Sequence, residues 1–456
     1  MVAVVKANGK AAHAPGSLPT VEECRRVIRE RNAELRAVLT VIEPPLVDPA
    51  AAADAPLAGV PFVLKDVWDT AGVRTTGGSH RHRSRVPTTS APACTALLHA
   101  GAVLLGKSNI GDMAFSAESD NHLIGTTRNP HDASRTSGGS TGGGAAAVAA
   151  GMAAFEWGTD FGGSIRIPAA FCGVVGLRLS SVTWPVERAH FPRVSPRFWP
   201  FLGMGPLARD VATCRRVLSA VSSLRREAAP EPKVTADRVV IWPPGRVMRR
   251  AWPSFVLDAR RALEEAEVSA VEPHGLPSPA AVARAFDGYV CAHFSDLIGK
   301  EELSLFDGIV AAVVGAASRG RLDKRLHPKG AAMFALVALG RLTLFRDPAA
   351  ATRAVESVRA AFRRVWERGA LIVSPTTTVP ASRHGRTPFD FRLLAFVKAG
   401  NLVDATALAL PFGHFPDGLP RSLQILGPPG SEDAVLALAS RLERLEPENP
   451  RPAARR

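Results

Sequence analysis

The chain has 456 residues, 46% hydrophobic, 21% charged and 6% aromatic, a composition that excludes a disordered or fibrous protein and is long enough to bury about three quarters of its unfolded surface. Its 56 basic and 42 acidic residues leave a net charge of +14, yet the arginines are spread along the chain, in pairs such as Arg25/Arg26, Arg215/Arg216 and Arg249/Arg250, and without a clustered stripe they give no strong nucleic-acid signal. Five scattered cysteines (Cys24, Cys94, Cys172, Cys214, Cys291) argue against a disulfide framework and a structural zinc site and fit a reducing compartment, and no run reaches the roughly 18 to 20 apolar residues of a transmembrane segment.

The first residues, 1–9, are too polar and too short in apolar run for a secretory signal, so a cytoplasmic protein is expected. Thr20-Val-Glu-Glu23 is a capping box that opens an amphipathic helix with Val27, Ile28 and Leu35 on its apolar side. A Pro- and Ala-rich connector follows at 44–57. Gly59-Val-Pro-Phe-Val-Leu64 reads as a short buried strand ending in Lys65-Asp66. The segment from Thr95 is a helix running into a strand at Ala102-Val-Leu-Leu105. Gly and Ser dominate 134–144, and an Ala-rich helix is expected at 145–154. Beyond the loop at 158–164, helices alternate with short apolar runs such as Val239-Val-Ile-Trp242 and Ala370-Leu-Ile-Val373. The stretch 329–345 is unusually apolar; it reads as a buried core helix, or as one facing an acyl chain or a membrane interface, which leaves peripheral membrane contact open. Strands interleaved with helices, without repeats or long linkers, argue for an α/β fold, one large domain with a central mixed β-sheet covered by helices on both faces. The domain is set at 20–446, between an N-terminal extension, 1–19, expected to be partly disordered, and a Pro- and Arg-rich disordered tail, 447–456.

Two Gly-Ser loops carry the candidate chemistry: Thr136-Ser-Gly-Gly-Ser140-Thr141-Gly-Gly-Gly144 and Gly158-Thr159-Asp160-Phe161-Gly162-Gly163-Ser164-Ile-Arg166. A hydroxyl flanked by glycines lets a substrate carbonyl approach the backbone, where N–H groups can face a developing oxyanion; a single such loop is more readily an ordinary flexible connection. Gly138 to Gly142 spells Gly-x-Ser-x-Gly, but no apolar strand precedes it as a nucleophile elbow requires. The loose dinucleotide pattern at Gly142-x-Gly144 lacks its strand too, and no P-loop occurs. His80-Arg-His82 has no acidic partner nearby and reads as a solvated loop rather than a metal site. Lys65 is the remaining oddity. An amine delivered to a buried sheet end is costly unless neutral or paired, and desolvation lowers it toward base strength; the ordinary alternative is a salt bridge to Asp66 or Asp160.

Taken together, Gly59-Val-Pro-Phe-Val-Leu-Lys65-Asp66, Ser137-Gly-Gly-Ser140-Thr-Gly-Gly143 and Gly158-Thr-Asp-Phe-Gly-Gly-Ser164-Ile-Arg-Ile-Pro168 resemble the three blocks of the amidase signature family, in the family's order. The similarity extends weakly from Arg31-Asn-Ala-Glu-Leu35 to Asp417-Gly-Leu-Pro-Arg-Ser-Leu-Gln-Ile-Leu-Gly427, and is lost between about 220 and 365. The resemblance implies a Ser-cisSer-Lys triad: Ser164 as acyl nucleophile, Ser140 as proton relay behind a cis Gly139–Ser140 peptide bond, and Lys65, neutral at rest, as base. It implies an oxyanion hole from the N–H groups of Phe161, Gly162, Gly163 and Ser164, with Thr141, Thr159, Asp160 and Arg166 in support. It implies no cofactor and no metal. Thr141 stands where the family more often has serine, and keeps a hydroxyl.

The expected activity is hydrolysis of a small-molecule carboxylic amide through an acyl-enzyme. In tRNA-dependent amidotransferases of this family an acidic residue holds the glutamine ammonium shortly before the segment resembling Asn401-Leu402. Here Leu394 falls at that position, with Asp390 the only acid nearby on that side, so free glutamine is disfavoured. The apolar 331–339 segment leans toward an apolar or aromatic acyl group. Two stretches depart from the family pattern, Ser181-Val-Thr-Trp-Pro-Val-Glu-Arg-Ala-His190 and Val403-Asp404-Ala-Thr406, and both point to altered specificity. The alternatives are a glutamine-cleaving subunit of a tRNA-dependent amidotransferase, which needs a partner, and a catalytically silent basic binding protein.

Overall fold

The computed structural model describes residues 18–185, 191–226, 232–243, 252–272, 275–293, 296, 337, 340, 347–387 and 394–445. Almost all of the apolar stretch 329–345, most of the N-terminal extension and the whole of the C-terminal tail lie outside the described residues.

Among the described residues, eleven strands form a single mixed sheet: β1 (Val38–Leu46), β2 (Pro61–Lys65), β3 (Val103–Ser108), β4 (Phe155–Asp160), β5 (Val175–Arg178), β6 (Gly203–Ala208), β7 (Arg238–Ile241), β8 (Ser269–Val271), β9 (Leu371–Pro375), β10 (Thr406–His414) and β11 (Pro420–Gly427). Their order across the sheet is β1-β3-β2-β4-β6-β5-β10-β11-β9-β7-β8. β3, β2 and β4 run parallel at one side, β9, β7 and β8 at the other, and antiparallel pairs join them through the middle. The expected α/β fold with a mixed sheet is the one observed.

Side-chain alternation along the strands separates the interior into two layers. On β2 and β3, Phe62, Leu64 and Leu104 join one apolar cluster while Val63, Val103 and Leu105 join the other. Helices α1 (Val21–Leu35), α3 (Gly142–Ala150) and α4 (Arg166–Cys172) contribute to the second cluster; α2 (Pro92–His99), α5 (Val211–Ala220), α6 (Phe255–Glu265), α7 (Pro279–Ala292), α8 (Pro348–Glu367) and α10 (Glu432–Glu443) contribute to the first. Both faces of the sheet are therefore covered. α3 needs no apolar stripe of its own. It is buried at all nine positions, and its Gly and Ala residues let its backbone lie against the sheet. A Cβ on Gly143 would overlap the Asn109 backbone and the Ala37 carbonyl.

Local signals explain the element ends. The capping box at Thr20 is present, Glu23 N–H donating to Thr20 Oγ1 at 3.2 Å and Thr20 N–H to Glu23 Oε2 at 2.8 Å. α3 starts three residues earlier than its Ala run and stops at Gly151, whose φ of 81° ends it in the left-handed region. Another boundary differs from the sequence reading. β1 runs through Pro44 and Pro45, which the sequence assigns to the connector. It is an edge strand, so a proline without an N–H leaves no ladder partner unsatisfied on its outer side. β2 ends on Lys65, as the sequence reading has it, and takes that residue into the ladder opposite Ser108.

Candidate active site

β2 ends by pointing Lys65 into the layer beneath α3, where the side chain is fully buried. Its Nζ lies 2.8 Å from Ser140 Oγ, 3.0 Å from the Thr159 carbonyl and 3.0 Å from Thr159 Oγ1. No carboxylate takes a hydrogen bond from it among the described residues, so the salt bridge to Asp66 or Asp160 weighed from sequence does not form. Burial pulls the amine down from its ordinary 10.5 to about 7, against the opposing pull of the carboxyls of Glu156 and Asp160. Asp66 instead accepts from Thr76 N–H at 3.0 Å and from the Thr76 hydroxyl.

Ser140 is buried, and the Gly139–Ser140 peptide bond is cis. Ser119 fastens this turn from behind: its hydroxyl donates to the Ser140 carbonyl at 3.1 Å and accepts from Gly142 N–H at 2.9 Å. Thr141 Oγ1 donates to the Thr159 carbonyl at 3.3 Å, and its methyl lies over Gly158, where a Cβ would meet it at 2.8 Å. Thr141 N–H also donates to the Ser164 carbonyl at 3.2 Å. The two Gly-Ser loops, distant in sequence, are thereby tied together with Ser164 at the partly exposed front and Lys65 buried behind Ser140.

Asp160 shapes the loop that carries Ser164. Its carboxylate accepts from Gly163 N–H at 2.8 Å and Ile165 N–H at 3.1 Å. It also accepts from Arg166 Nε at 3.0 Å and Nη2 at 2.9 Å, in a fully buried pair. The guanidinium beside it holds this carboxyl far below the usual range despite its burial. Here the oxyanion expectation needs amending: with its N–H turned onto Asp160, Gly163 is not free to face a substrate, which leaves Phe161, Gly162 and Ser164 as the candidate donors. Two residues with no role assigned from sequence complete the network. Asn401 donates to the Asp160 carbonyl at 2.9 Å and to its Oδ1 at 2.8 Å, and accepts from Arg166 Nη2 at 2.7 Å; Gln424 Oε1 accepts from Arg166 Nη1 at 2.6 Å. They come from α9 (Val397–Leu402) and β11, over 200 residues away, so spacing carried no signal for them.

The two atypical segments turn out to be one feature. Asp404, at φ 50°, accepts from Arg178 Nη2 at 3.0 Å, Ser180 Oγ at 2.9 Å, Ser181 N–H and Oγ each at 2.9 Å, and Val182 N–H at 3.1 Å. The departure at 403–406 thus anchors the start of the departure at 181–190. Residues 186–190 lie outside the described set.

An aromatic cluster backs the loop. The Phe161 ring sits 5.9 Å from Phe198 and 5.9 Å from Phe286, while Phe201 stacks on Tyr289 at 5.0 Å. Leu394 is part-buried in an apolar group with Ile167, Phe171 and Val397; Asp390 lies outside the described residues. His82 packs edge-on against Phe191 at 5.0 Å. A second buried amine, Lys107, lies on the opposite face of the sheet and donates to the Trp68 carbonyl, Thr70 and Thr75. Glu156 is fully buried on the Lys65 face and has no role assigned from sequence. Its signal is local, a lone carboxylate inside the apolar run Phe155-Glu-Trp157.

The sequence profile of the family described as Amidase matches residues 20–436. The chain is 33% identical over 425 residues to a glutamyl-tRNA(Gln) amidotransferase subunit of Moorella thermoacetica, covering 85% of this chain and 83% of that one. Among solved structures, the peptide amidase of Stenotrophomonas maltophilia superposes with a TM-score of 0.73 at 25% identity, covering 95% of this chain and 94% of the other. A bacterial aryl acylamidase shares the fold at a TM-score of 0.69 and 19% identity, covering 93% and 92%.

Proposed function

Because the chain belongs to the amidase signature family and is an amide hydrolase, we propose that it works through an acyl-enzyme on Ser164, with Ser140 as relay and Lys65 as base. The observation that carries this reading is the buried amine of Lys65, 2.8 Å from the Ser140 hydroxyl and shifted to about 7. An uncharged amine has two hydrogens and one lone pair. It can donate to the Thr159 carbonyl and hydroxyl and still accept a proton from Ser140. Ser140 then draws the proton from Ser164 as its oxygen attacks the amide carbonyl.

The tetrahedral oxyanion would face the N–H groups of Phe161, Gly162 and Ser164; loss of one such donor in comparable sites costs about 3 to 4 kcal/mol of barrier. Collapse breaks the C–N bond, and the departing amine takes the proton back from Lys65 through Ser140. Water, deprotonated along the same route, cleaves the ester and restores Ser164. Asp160 and Arg166 hold the donor loop, and Thr141 and Thr159 hold the amine and the relay.

An apolar or aromatic acyl group is the substrate class we favour, because Phe161 continues into the cluster of Phe198, Phe201 and Phe286. The likeness to the Moorella thermoacetica amidotransferase protein supports a second reading, glutamine cleavage within a tRNA-dependent assembly. Leu394 in an apolar setting speaks against it, since an ammonium there would lose its hydration without compensation. Five reduced, buried cysteines support a cytoplasmic location. No helix among the described residues is long and apolar enough to cross a membrane.

A fluorophosphonate probe with peptide mapping tests the chemistry: labelling is expected at Ser164, lost in Ser164→Ala and slowed in Lys65→Ala. Labelling elsewhere, or unchanged labelling in Lys65→Ala, overturns it. Hydrolysis of an alkyl and aryl amide series against glutamine tests the substrate, and preference for glutamine reverses our choice.

A further inference from the structure

Glu156 occupies a place that the relay from Lys65 to Ser164 does not explain. β2 lies between β3 and β4 in the sheet, with Val63 beside Glu156 and Lys65 beside Ser108. The Ser108 hydroxyl donates to Glu156 Oε1, so this bond from β3 to β4 crosses over β2 between Val63 and Lys65. The carboxyl is thereby pinned on the same sheet face as Lys65, within about two residue rises along the strand, or roughly 7 Å. Room for it exists only because position 144 is glycine: a Cβ there would overlap Glu156 Oε2. That oxygen is buried and meets no hydrogen-bond donor among the described residues. A carboxyl so enclosed, with a single donor, is poorly suited to stay ionised unless a cation shares the space.

We propose that Glu156 is a second titrating group of this active site, a positioning residue that acts on the reaction through the charge state of Lys65. The inference rests on the reading of Lys65 as the base. Burial raises the Glu156 carboxyl and lowers the Lys65 amine until their ranges overlap near neutral pH, so the two titrate as a pair across the range in which the amine must be free. With one proton between them, the uncharged amine beside the uncharged acid is the active arrangement, and the ammonium beside the carboxylate is the inactive one.

Among the described residues, few other charges face the pair. β4 supplies Asp160 and α4 supplies Arg166, which are paired with each other. The Cys172 thiol of α4, which donates to the Ser137 carbonyl at 3.6 Å, is held above its ordinary range by burial. On this face β3 offers only Ser108, its Lys107 lying on the other, and α3 and β6 carry no titratable side chain.

The test is the rate of fluorophosphonate labelling at Ser164 as a function of pH. Wild type is expected to show an acidic limb with its midpoint about pH 7. An ionised Glu156 favours the ammonium, so Glu156→Gln, which keeps the shape and the bond from Ser108, should move that limb down by about half a unit or more. Ser108→Ala removes the one bond that favours the carboxylate and should move the limb in the same direction by less; it decides the matter where Glu156→Gln fails to fold. A merely structural Glu156 would alter rate or stability and leave the midpoint in place, and that result overturns the inference. If instead Lys65→Ala labels like wild type, the base assignment falls and takes the inference with it; slowed labelling in Lys65→Ala with an unmoved limb in Glu156→Gln sinks the inference alone.

Discussion

Replacing Lys65 by methionine should abolish activity and yet stabilise the fold at neutral and acidic pH. The amine is fully buried and lies at about 7 where its ordinary value is 10.5. At about 1.4 kcal/mol for each pH unit, that gap of about 3.5 units amounts to about 5 kcal/mol of lost folding stability wherever both states are protonated. Methionine keeps the length of the side chain and removes the charge. It forfeits the bonds to Ser140 Oγ, the Thr159 carbonyl and Thr159 Oγ1, together about 3 kcal/mol. The net expectation is a gain of about 2 kcal/mol near pH 6.

The pH dependence makes the prediction sharper than the magnitude. Since the folded amine has the lower pKa, the unfolded chain holds more protons between about 7 and 10.5, and the wild-type contribution is full above 10.5 and lost as pH falls through about 7. Wild-type stability therefore rises with pH across this window relative to the variant, whose advantage shrinks and then reverses. Urea midpoints of both proteins at matched pH values measure the difference, and the other lysines cancel. A difference that stays flat, or that grows as the pH rises, would refute the account of a buried and discharged amine.

Three further outcomes follow from buried charges and close approaches. Asp160→Asn leaves Arg166 without its counter-charge and slackens the Gly163 and Ile165 bonds, so a loss of about 3 to 5 kcal/mol in urea unfolding is expected, with Ser164 labelling slowed at least tenfold; a loss under about 1 kcal/mol would contradict it. Asp404→Ala strips the acceptor from buried Arg178 and from Ser180, Ser181 and Val182, and a similar loss is expected by the same measurement, along with faster proteolysis within 181–190. Gly144→Ala collides with Glu156 and should lower the thermal midpoint sharply, and adding Glu156→Ala should recover most of it. Two losses that simply add would show that the residues do not meet.

The outline of this protein was legible along the chain where the signals are local. The capping box at Thr20, the apolar run before Lys65 and the alternation of apolar runs with helices each depend on a few neighbouring residues, and each marked its element to within a few positions. The misread start of the connector has a tertiary cause, because Pro44 and Pro45 are tolerated in a strand only at the sheet's edge, and being at the edge is a property of the strand order.

At the site, local sequence sufficed to single out the hydroxyls flanked by glycine and the lysine at a strand end, since those residue types in that order already limit the chemistry. What it could not supply was the environment that makes the chemistry possible. Desolvation of Lys65 depends on α3 lying against the sheet, the shape of the Ser164 loop on Asn401 and Gln424 arriving from distant elements, and the room for Glu156 on the missing side chain of Gly144. The same holds for Gly163, whose N–H is turned onto Asp160 rather than outward. Residue types and their spacing decide which groups are available; charge state and direction are set by burial and by contacts between segments far apart in the chain, and these exist only once the sheet has assembled.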